Sequence, residues 1–410
     1  MEINKINFEF INKISLIIIA FFIGLIFFYS PGTHDVHNFL KDVWMLNFEK
    51  YGFIKGYSAA NDNYPPLSFI MIGIVSEISK LFHIENFVIY KSMILFFLCF
   101  TVLSFFSFTK NIIISIILFF SLIINSMALG YLDILFAPFL ILSFLYLYKE
   151  KYFLFTILFS LASLMKYQPL IIAPFILLFL IKINKISEIK KIEWLNLIKK
   201  VFVPGFLIIL LIFMVFGKHL FISFIAATKH NFLSGNALNF NWVFTYFLKI
   251  FFSDKFGSLN DGLIQYIIVD NIKVILLPKI LFYVFYILSL IAFFRIKEKN
   301  MEKLTVYSIL GYLSYFVFNT GVHENHLFII CLLFGILMWL NDNFKLYSII
   351  WLFISNINLI VFYGFYGSGL QLNRIILGID ITLIFSIFNV LMFIIFFLTI
   401  QNSSHYEVSE

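Results

Sequence analysis

A series of long apolar runs, most of them separated by short charged segments, constrains this chain more than any other feature. A helix needs ~17–25 mostly apolar residues to cross a bilayer. Runs of this kind cover 14–30, 87–108, 111–128, 131–148, 201–217, 273–295, 304–320, 345–364 and 375–400. Shorter or proline-broken runs cover 152–165, 168–182 and 325–340. The pattern predicts an all-α polytopic membrane protein with a bundle of about twelve transmembrane helices.

Composition supports this class and excludes others. Hydrophobic residues make up 62% of the 410 residues and charged residues only 12%, whereas soluble domains average about 45–50% and 25%. Too few polar groups remain to cover one soluble globule, which disfavours a soluble enzyme, a disordered tail and a secreted disulfide scaffold. The net charge of +7 resides mainly in short loops, where Lys and Arg set topology. No nucleic-acid partner is therefore expected.

Charge also predicts the orientation. The segments 182–200 and 295–303 are short and basic, so they are expected in the cytoplasm together with both termini. No small-residue cleavage site follows the first run, which is predicted to be a retained helix. With these segments and both termini inside, the number of membrane crossings must be even, which requires that 67–82 does not cross. We therefore expect 67–82 to form an amphipathic helix on the outer face or a re-entrant helix. The long loops are then expected to carry any site on the outer face of the membrane.

Two loops, 31–86 and 218–272, are predicted on the outer face. Both are far longer than the usual connection of ~4–6 residues, and loops of this length are usually functional or disordered. Their content of aromatic, proline and apolar residues argues against disorder. We therefore predict a single membrane domain over 1–410 that carries an external site built from both loops.

The first loop offers a candidate general base. Asp35 follows the first apolar run, where partial desolvation can tune a carboxylate toward proton abstraction. The alternative is that Thr33 or Asp35 caps a helix over 36–50.

The same loop ends at two prolines, which stiffen the chain before Leu67. A stiff turn would hold Asp62 and Tyr64 against the site of Asp35. The alternative is a turn that only anchors the loop on the surface.

An early Asp35, then Trp44, then Tyr64-Pro-Pro-Leu resembles the first outer loop of GT-C-type glycosyltransferases, which use sugars carried on polyprenyl phosphates. The pattern is similar to the dolichyl-phosphate-glucose-dependent glucosyltransferases, although Asn63 stands where they have an acid. Further elements resemble the bacterial polyprenol-phosphate mannosyltransferase-like branch, and the resemblance covers most of the chain up to about residue 340. These further elements are Asn125-Ser-Met-Ala-Leu-Gly-Tyr-Leu-Asp133, Lys166-Tyr-Gln168-Pro-Leu, Leu233-Ser-Gly-Asn-Ala-Leu-Asn-Phe-Asn-Trp242 and His323-Glu-Asn-His-Leu-Phe.

Four cationic side chains fall at the outer ends of helices in the predicted topology and are candidate ligands of a lipid phosphate: Lys166, His323, His326 and Arg374. Lys166 and Arg374 could instead snorkel toward headgroups. His323 and Glu324 could form a local network at a helix start. No cofactor is predicted, although the spacing of the two histidines also permits a divalent metal.

Amides and an aromatic ring in the second loop suit sugar recognition: Asn236, Asn239, Asn241 and Trp242. An equally weighted alternative is a capped amphipathic helix over 239–252. Asp133 is expected mainly to cap the helix that follows it.

The resemblance implies a multi-pass glycosyltransferase of a bacterial inner membrane, with its site on the outer face, that moves a sugar from a polyprenyl-phosphate donor to a hydroxyl of a lipid-linked or cell-envelope glycan. Asp35 would be the base, Gln168 a binding residue, and the reaction would invert the anomeric centre. One alternative is a polymerase or ligase of undecaprenyl-diphosphate glycans. Such an enzyme would rely on Arg and His in the late outer loop, and the absence of Arg from 218–272 weighs against it. Another alternative is a lipid or solute transporter, and the absence of a visible internal repeat weighs against that function.

Overall fold

The computed structural model describes residues 2–60, 63–269, 271–367, 369 and 373–409, with only the backbone of 2–8, 272 and 403–409. Asp62 therefore lies outside the described residues. The first helices are α1 (Glu2–Ile26), α2 (His34–His37), α3 (Trp44–Ala60), α4 (Pro66–Phe82), α5 (Asn86–Thr109), α6 (Ile112–Ile123), α7 (Asp133–Tyr148), α8 (Tyr152–Met165) and α9 (Ala173–Ile181). The remaining helices are α10 (Trp194–Leu197), α11 (Val203–Phe216), α12 (His219–Thr228), α13 (Phe240–Phe251), α14 (Ser253–Phe256), α15 (Ile272–Arg295), α16 (Met301–Phe318), α17 (Phe328–Leu340), α18 (Lys345–Tyr363) and α19 (Ile381–Ser409).

Short irregular elements join these helices. Short π-helical (wide) turns cover Asn38–Asp42, Ile124–Ala128 and Ile198–Phe202. Short 3₁₀-helical (tight) turns cover Gln168–Ile172, Ile186–Lys191, Glu324–Leu327 and Asp342–Phe344. Four two-residue strands form two small pairs. The strands β1 (Ser234–Gly235) and β2 (Val322–His323) are parallel, and β3 (Ile375–Ile376) and β4 (Ile379–Asp380) form a hairpin.

The prediction of an all-α membrane protein is confirmed. Six helical segments in the described part of the chain are long and apolar enough to cross a bilayer, and each coincides with a predicted run: Glu9–Ile26, Asn86–Thr109, Trp194–Phe216, Lys273–Arg295, Asp342–Tyr363 and Ile381–Asn402. A helix of 23 residues, such as Lys273–Arg295, is about 34 Å long, against a hydrocarbon core of about 30 Å. Six shorter apolar helical segments accompany them.

Several predicted element boundaries differ from those observed. The run predicted over 375–400 begins with the β3–β4 hairpin, because Leu377 and Gly378 adopt positive φ angles of 52° and 79° that no helix tolerates. The helix predicted over 36–50 is divided between α2, a wide turn and α3, and α3 is itself interrupted at Gly52 with φ 72°. The helices predicted at 67–82 and 239–252 are confirmed as α4 and α13.

Contacts divide the chain into two compact units, where the sequence predicted one domain. Unit 1 contains Met1–Pro169, Leu195–Thr228 and Tyr363–Gly369. Its centre is α7, which packs against α5 and α8 and is buried along most of its length. A helix without a polar face needs neighbours or lipid on all sides, and α7 obtains protein neighbours.

Unit 2 contains Leu170–Trp194, Lys229–Phe362 and Leu370–Glu410. Its centre is α16, which contacts α9, α13, α15, α17 and α19. Close packing requires Gly311 here, because a Cβ at that position would lie 2.2 Å from the ring of Phe175. The second helix buried along almost its whole length is α17.

Candidate functional site

The loop that carries Asp35 is fixed to the turn before α7, within unit 1. The amide of Thr33 donates a hydrogen bond to the carbonyl of Leu129 at 3.0 Å. Gly130 has φ +71°, and a Cβ there would lie 2.6 Å from Cγ2 of Val36. The absence of a side chain at Gly130 therefore lets the two segments approach closely, and it places the half-buried Asp35 beside the start of α7.

A buried phenol connects Asp35 to the second acidic residue of this region. Tyr90 is fully buried, and its hydroxyl donates to the carbonyl of Gly130. The negative charges of Asp35 and Asp133 both act on this phenol. We call the group formed by Asp35, Tyr64, Tyr90, Lys91, Asn125, Asp133 and Lys166 the Asp35 cluster.

Asp133 and Lys166 form a buried ion pair at the base of the Asp35 cluster. Asp133 is fully buried, Lys166 is 8% exposed, and Asn125 Nδ2 donates to the second carboxylate oxygen at 3.2 Å. The expectation that Asp133 caps α7 is wrong: Leu132 occupies the cap, and Asp133 is the first helical residue. A charge in this environment is tolerable because it is paired and hydrogen-bonded.

Tyr64 joins the first loop to this ion pair. Its ring lies 5.2 Å from Trp44 and 6.0 Å from Phe39, measured between ring centroids. The Lys166 ammonium lies 5.5 Å from the centroid of the same ring. The Tyr57 hydroxyl donates to the Tyr64 carbonyl at 2.8 Å. The structure therefore brings Tyr64 of the first loop together with Lys166.

Lys91 belongs to the cluster but was not among the residues predicted from the sequence. Its side chain is fully buried, and Nζ donates to the main-chain carbonyl of Met127 at 2.6 Å. In the described part of the chain, no carboxylate pairs with it. The signal was present in the sequence, since a lysine inside the apolar run 87–108 is costly and usually functional.

Four buried polar atoms of unit 1 have no hydrogen-bond partner among the described residues, and all lie in predicted site segments. They are Ser30 Oγ, Thr33 Oγ1, Asn125 Oδ1 and Gln168 Oε1. A buried polar atom without a partner costs about 1–3 kcal/mol. These atoms, among them the predicted binding residue Gln168, can accept hydrogen bonds from a bound ligand or from water.

In unit 2, the strand pair β1–β2 brings the second loop to the His323 motif. Gly235 pairs with His323, and a Cβ on Gly235 would lie 2.8 Å from His323 Nδ1. The ring of His230 lies 5.4 Å from that of His323. Burial, with a smaller effect of His323, lowers the pKa of His230 to about 4. At neutral pH, His230 is therefore uncharged.

The rest of the motif forms a local network at a helix start, as the alternative reading predicted. His326 is 8% exposed, its Nδ1 is 3.0 Å from the Tyr315 hydroxyl, and its ring lies 5.5 Å from that of His323. Glu324 is 5% exposed, with Oε2 3.9 Å from His323 Nδ1. The described residues contain no group of three or more His, Cys, Asp or Glu side chains arranged to hold a metal.

Three of the four predicted sugar ligands are buried and make contacts within the protein itself. Trp242 is fully buried, and its indole nitrogen donates to Thr382 at 2.8 Å. Asn239, also buried, caps α13 by accepting from the Trp242 amide at 3.1 Å. Asn241 donates to the carbonyl of Asn319 at 2.8 Å. The alternative of a capped amphipathic helix describes α13, and Trp242 offers no open ring face to a sugar.

Arg374 immediately precedes the β3–β4 hairpin and pairs with a buried acid of the same hairpin. Its Nη2 lies 2.6 Å from the carboxylate of Asp380, which is 1% exposed. Asp380 also accepts a hydrogen bond from the amide of Ile264 at 2.9 Å. Two predicted phosphate ligands, Lys166 in unit 1 and Arg374 in unit 2, are thus each compensated by a buried carboxylate.

No protein-family model matches the chain, and no curated protein shows significant similarity to it. The resemblance to GT-C-type enzymes therefore depends on the quoted sequence elements alone. The geometry of the Asp35 cluster is an independent observation, because it does not depend on any relative.

Proposed function

We propose that this chain is a membrane glycosyltransferase that moves a sugar from a polyprenyl-phosphate donor to a hydroxyl of a lipid-linked or cell-envelope glycan. One observation carries the proposal. A half-buried carboxylate, Asp35, follows the first apolar helix and shares a phenol neighbour with a buried Asp–Lys pair. Ionisable groups gathered at the ends of membrane helices are usually functional.

In the proposed reaction, Asp35 accepts the proton of the acceptor hydroxyl while that oxygen attacks the anomeric carbon. The bond between the anomeric carbon and the phosphate oxygen breaks, and polyprenyl phosphate leaves with the bonding electrons. A general base at hydrogen-bond distance contributes typically about 10²–10⁴ in rate. A single displacement inverts the anomeric centre.

The leaving phosphate needs positive charge, because no acid protonates it. Lys166 is already compensated by Asp133, whereas the partners of Lys91 among the described residues are a carbonyl and the Phe87 ring, with no carboxylate. We therefore assign Lys91 as the cation whose charge favours departure of the phosphate. Lys166 then acts by positioning Tyr64 and Asp133.

The proposed topology has about twelve crossings with both termini in the cytoplasm. Unit 1 places α4 against α3, α5 and α8. The hydroxyl of Ser68, near the start of α4, donates to the Met165 carbonyl. This bond ties the start of α4 to the end of α8, which the proposed topology puts at the outer face of the membrane.

The test is a screen of polyprenyl-phosphate sugars with the purified chain in liposomes, using Asp35→Asn as the blank. We expect transfer from at least one donor, and none by the variant at the same protein level. Full transfer by Asp35→Asn would refute the role of Asp35. Donor-stimulated flux across the liposome membrane without any transfer would instead favour a transporter.

A further inference from the structure

Unit 2 contains an open cavity of about 720 Å³ whose described lining is cationic. Its polar lining residues are Asn236, Lys249, Lys255, Gln265, Tyr266 and Arg374. No carboxylate is among the described lining residues. The charge of Arg374 is compensated by Asp380, which is buried and does not line the cavity. Lys249 and Lys255 therefore contribute about two positive charges that no carboxylate among the described lining residues compensates.

Lys249 is held at the cavity by α13. It is 7% exposed, and Nζ donates to the carbonyl of Ser258 at 3.3 Å. Burial lowers the pKa of Lys249, because no carboxylate among the described residues offsets the cost of desolvation. An ammonium in this environment gains from an anionic partner more than an exposed one does.

Arg374 adds directional donors to this charge. Nε and Nη2 are engaged with Asp380, Ile264 and Thr382. No hydrogen bond from Nη1 is found among the described residues, so two N–H groups remain for a ligand. The ring of Phe362 lies 5.2 Å from the guanidinium carbon and fixes its plane.

We propose that this cavity binds a phosphate group through Lys249, Lys255 and Arg374. A phosphate monoester carries about −1.5 to −2 charges at pH 7, which matches the uncompensated lysines, and its oxygens accept several hydrogen bonds. Neither lysine belongs to the Asp35 cluster, and the proposal stands whether or not the chain transfers sugars.

The phosphate could belong to a soluble or glycan phosphate, or to a lipid headgroup. Exposed apolar side chains on α13 and beside the cavity are compatible with a lipid: Phe247, Ile250, Phe251, Tyr266 and Ile268. Two probes separate the sources. Inorganic phosphate is titrated onto the protein in neutral detergent, and phosphatidic acid is compared with phosphatidylcholine in nanodiscs that hold the whole chain.

We expect saturable binding of one probe or both, weakened roughly tenfold or more by Lys249→Gln combined with Lys255→Gln, since charge-assisted hydrogen bonds are lost. The matched control combines Lys273→Gln and Lys279→Gln, two exposed lysines of α15 that do not line the cavity. Lys255 is exposed, so Lys255→Gln alone tests the site in a variant that keeps its packing.

Binding of inorganic phosphate supports a soluble or glycan source, and binding only in phosphatidic acid nanodiscs supports a lipid source. The proposal is overturned if neither probe binds, or if the control pair weakens binding as much as the cavity pair. Asp35→Asn is expected to bind both probes normally, so loss of sugar transfer and loss of this site are distinguishable.

Discussion

The buried pair of Asp133 and Lys166 gives the sharpest prediction about stability. Lys166→Met removes the cation and leaves the fully buried Asp133 with one neutral side-chain donor among the described residues, Asn125. Breaking a buried ion pair by removing one partner costs about 3–5 kcal/mol. For a domain of roughly 150–250 residues, 1 kcal/mol shifts the unfolding midpoint by ~2–4 °C. We therefore expect a midpoint lower by roughly 6–20 °C.

The assay is thermal unfolding in detergent at one fixed scan rate, followed by tryptophan fluorescence. Asp133→Asn combined with Lys166→Met removes both charges and is expected to recover at least half of the lost midpoint, because no charge remains buried without a partner. Lys55→Met is the matched control, since Lys55 is exposed in the same unit. A shift for Lys166→Met no larger than the control, or additive losses in the double variant, would refute the reasoning.

Three further predictions follow from single contacts. Gly130→Ala should lower sugar transfer strongly, because the new Cβ would collide with Val36 beside Asp35. Gly217→Ala is the control, because Gly217 also has a positive φ of +59° but nothing lies within 4 Å of its Cβ position, and this variant should keep its transfer activity. Equal losses of transfer in the two variants would contradict the positioning argument. The lowered pKa of His230 means that the folded state binds fewer protons than the unfolded state between about 4 and 6.5. Stability of the wild type should therefore fall as pH drops from 6.5 toward 4, and His230→Gln should flatten that dependence in thermal unfolding; an unchanged slope would exclude His230 as its source. Trp242→Phe should lower the free energy of unfolding by about 1–2 kcal/mol through the lost hydrogen bond to Thr382. The Michaelis constant for the sugar donor should not change in this variant, and a large increase in that constant would instead support a sugar-binding role.

Much of the fold could be predicted because crossing a bilayer requires long apolar helices, and that requirement is visible in composition. The six long helical segments fall on predicted runs. The hairpin before α19 was missed because Ile375, Ile376 and Ile379 are as apolar as the helix that follows. Only the turn geometry at Gly378 separates the two, and hydropathy does not report φ.

The site was predictable in part, for a similar reason. Asp35, Tyr64 and Lys166 are polar groups at the ends of apolar runs. In the structure, Tyr64 lies beside Lys166, and Asp35 lies within electrostatic range of the same phenol as Asp133. The role of Trp242 was hard to predict, because an aromatic residue among amides has the same sequence signature in a sugar site and at a capped helix. Its burial and its bond to Thr382, which favour the capped helix, depend on tertiary contacts that the sequence does not display. The partner of Lys166 was likewise invisible, since ion pairing depends on tertiary contact.

The most direct test of the account is the single-turnover rate of sugar transfer by Asp35→Asn, compared with Asp42→Asn. Asp42 is an exposed carboxylate of the same loop, so it controls for lost charge. With a donor that the wild type uses, we expect Asp35→Asn to be slower by about 10²–10⁴ while Asp42→Asn keeps the wild-type rate. Wild-type transfer by a correctly folded Asp35→Asn would contradict the claim that this carboxylate removes the acceptor proton.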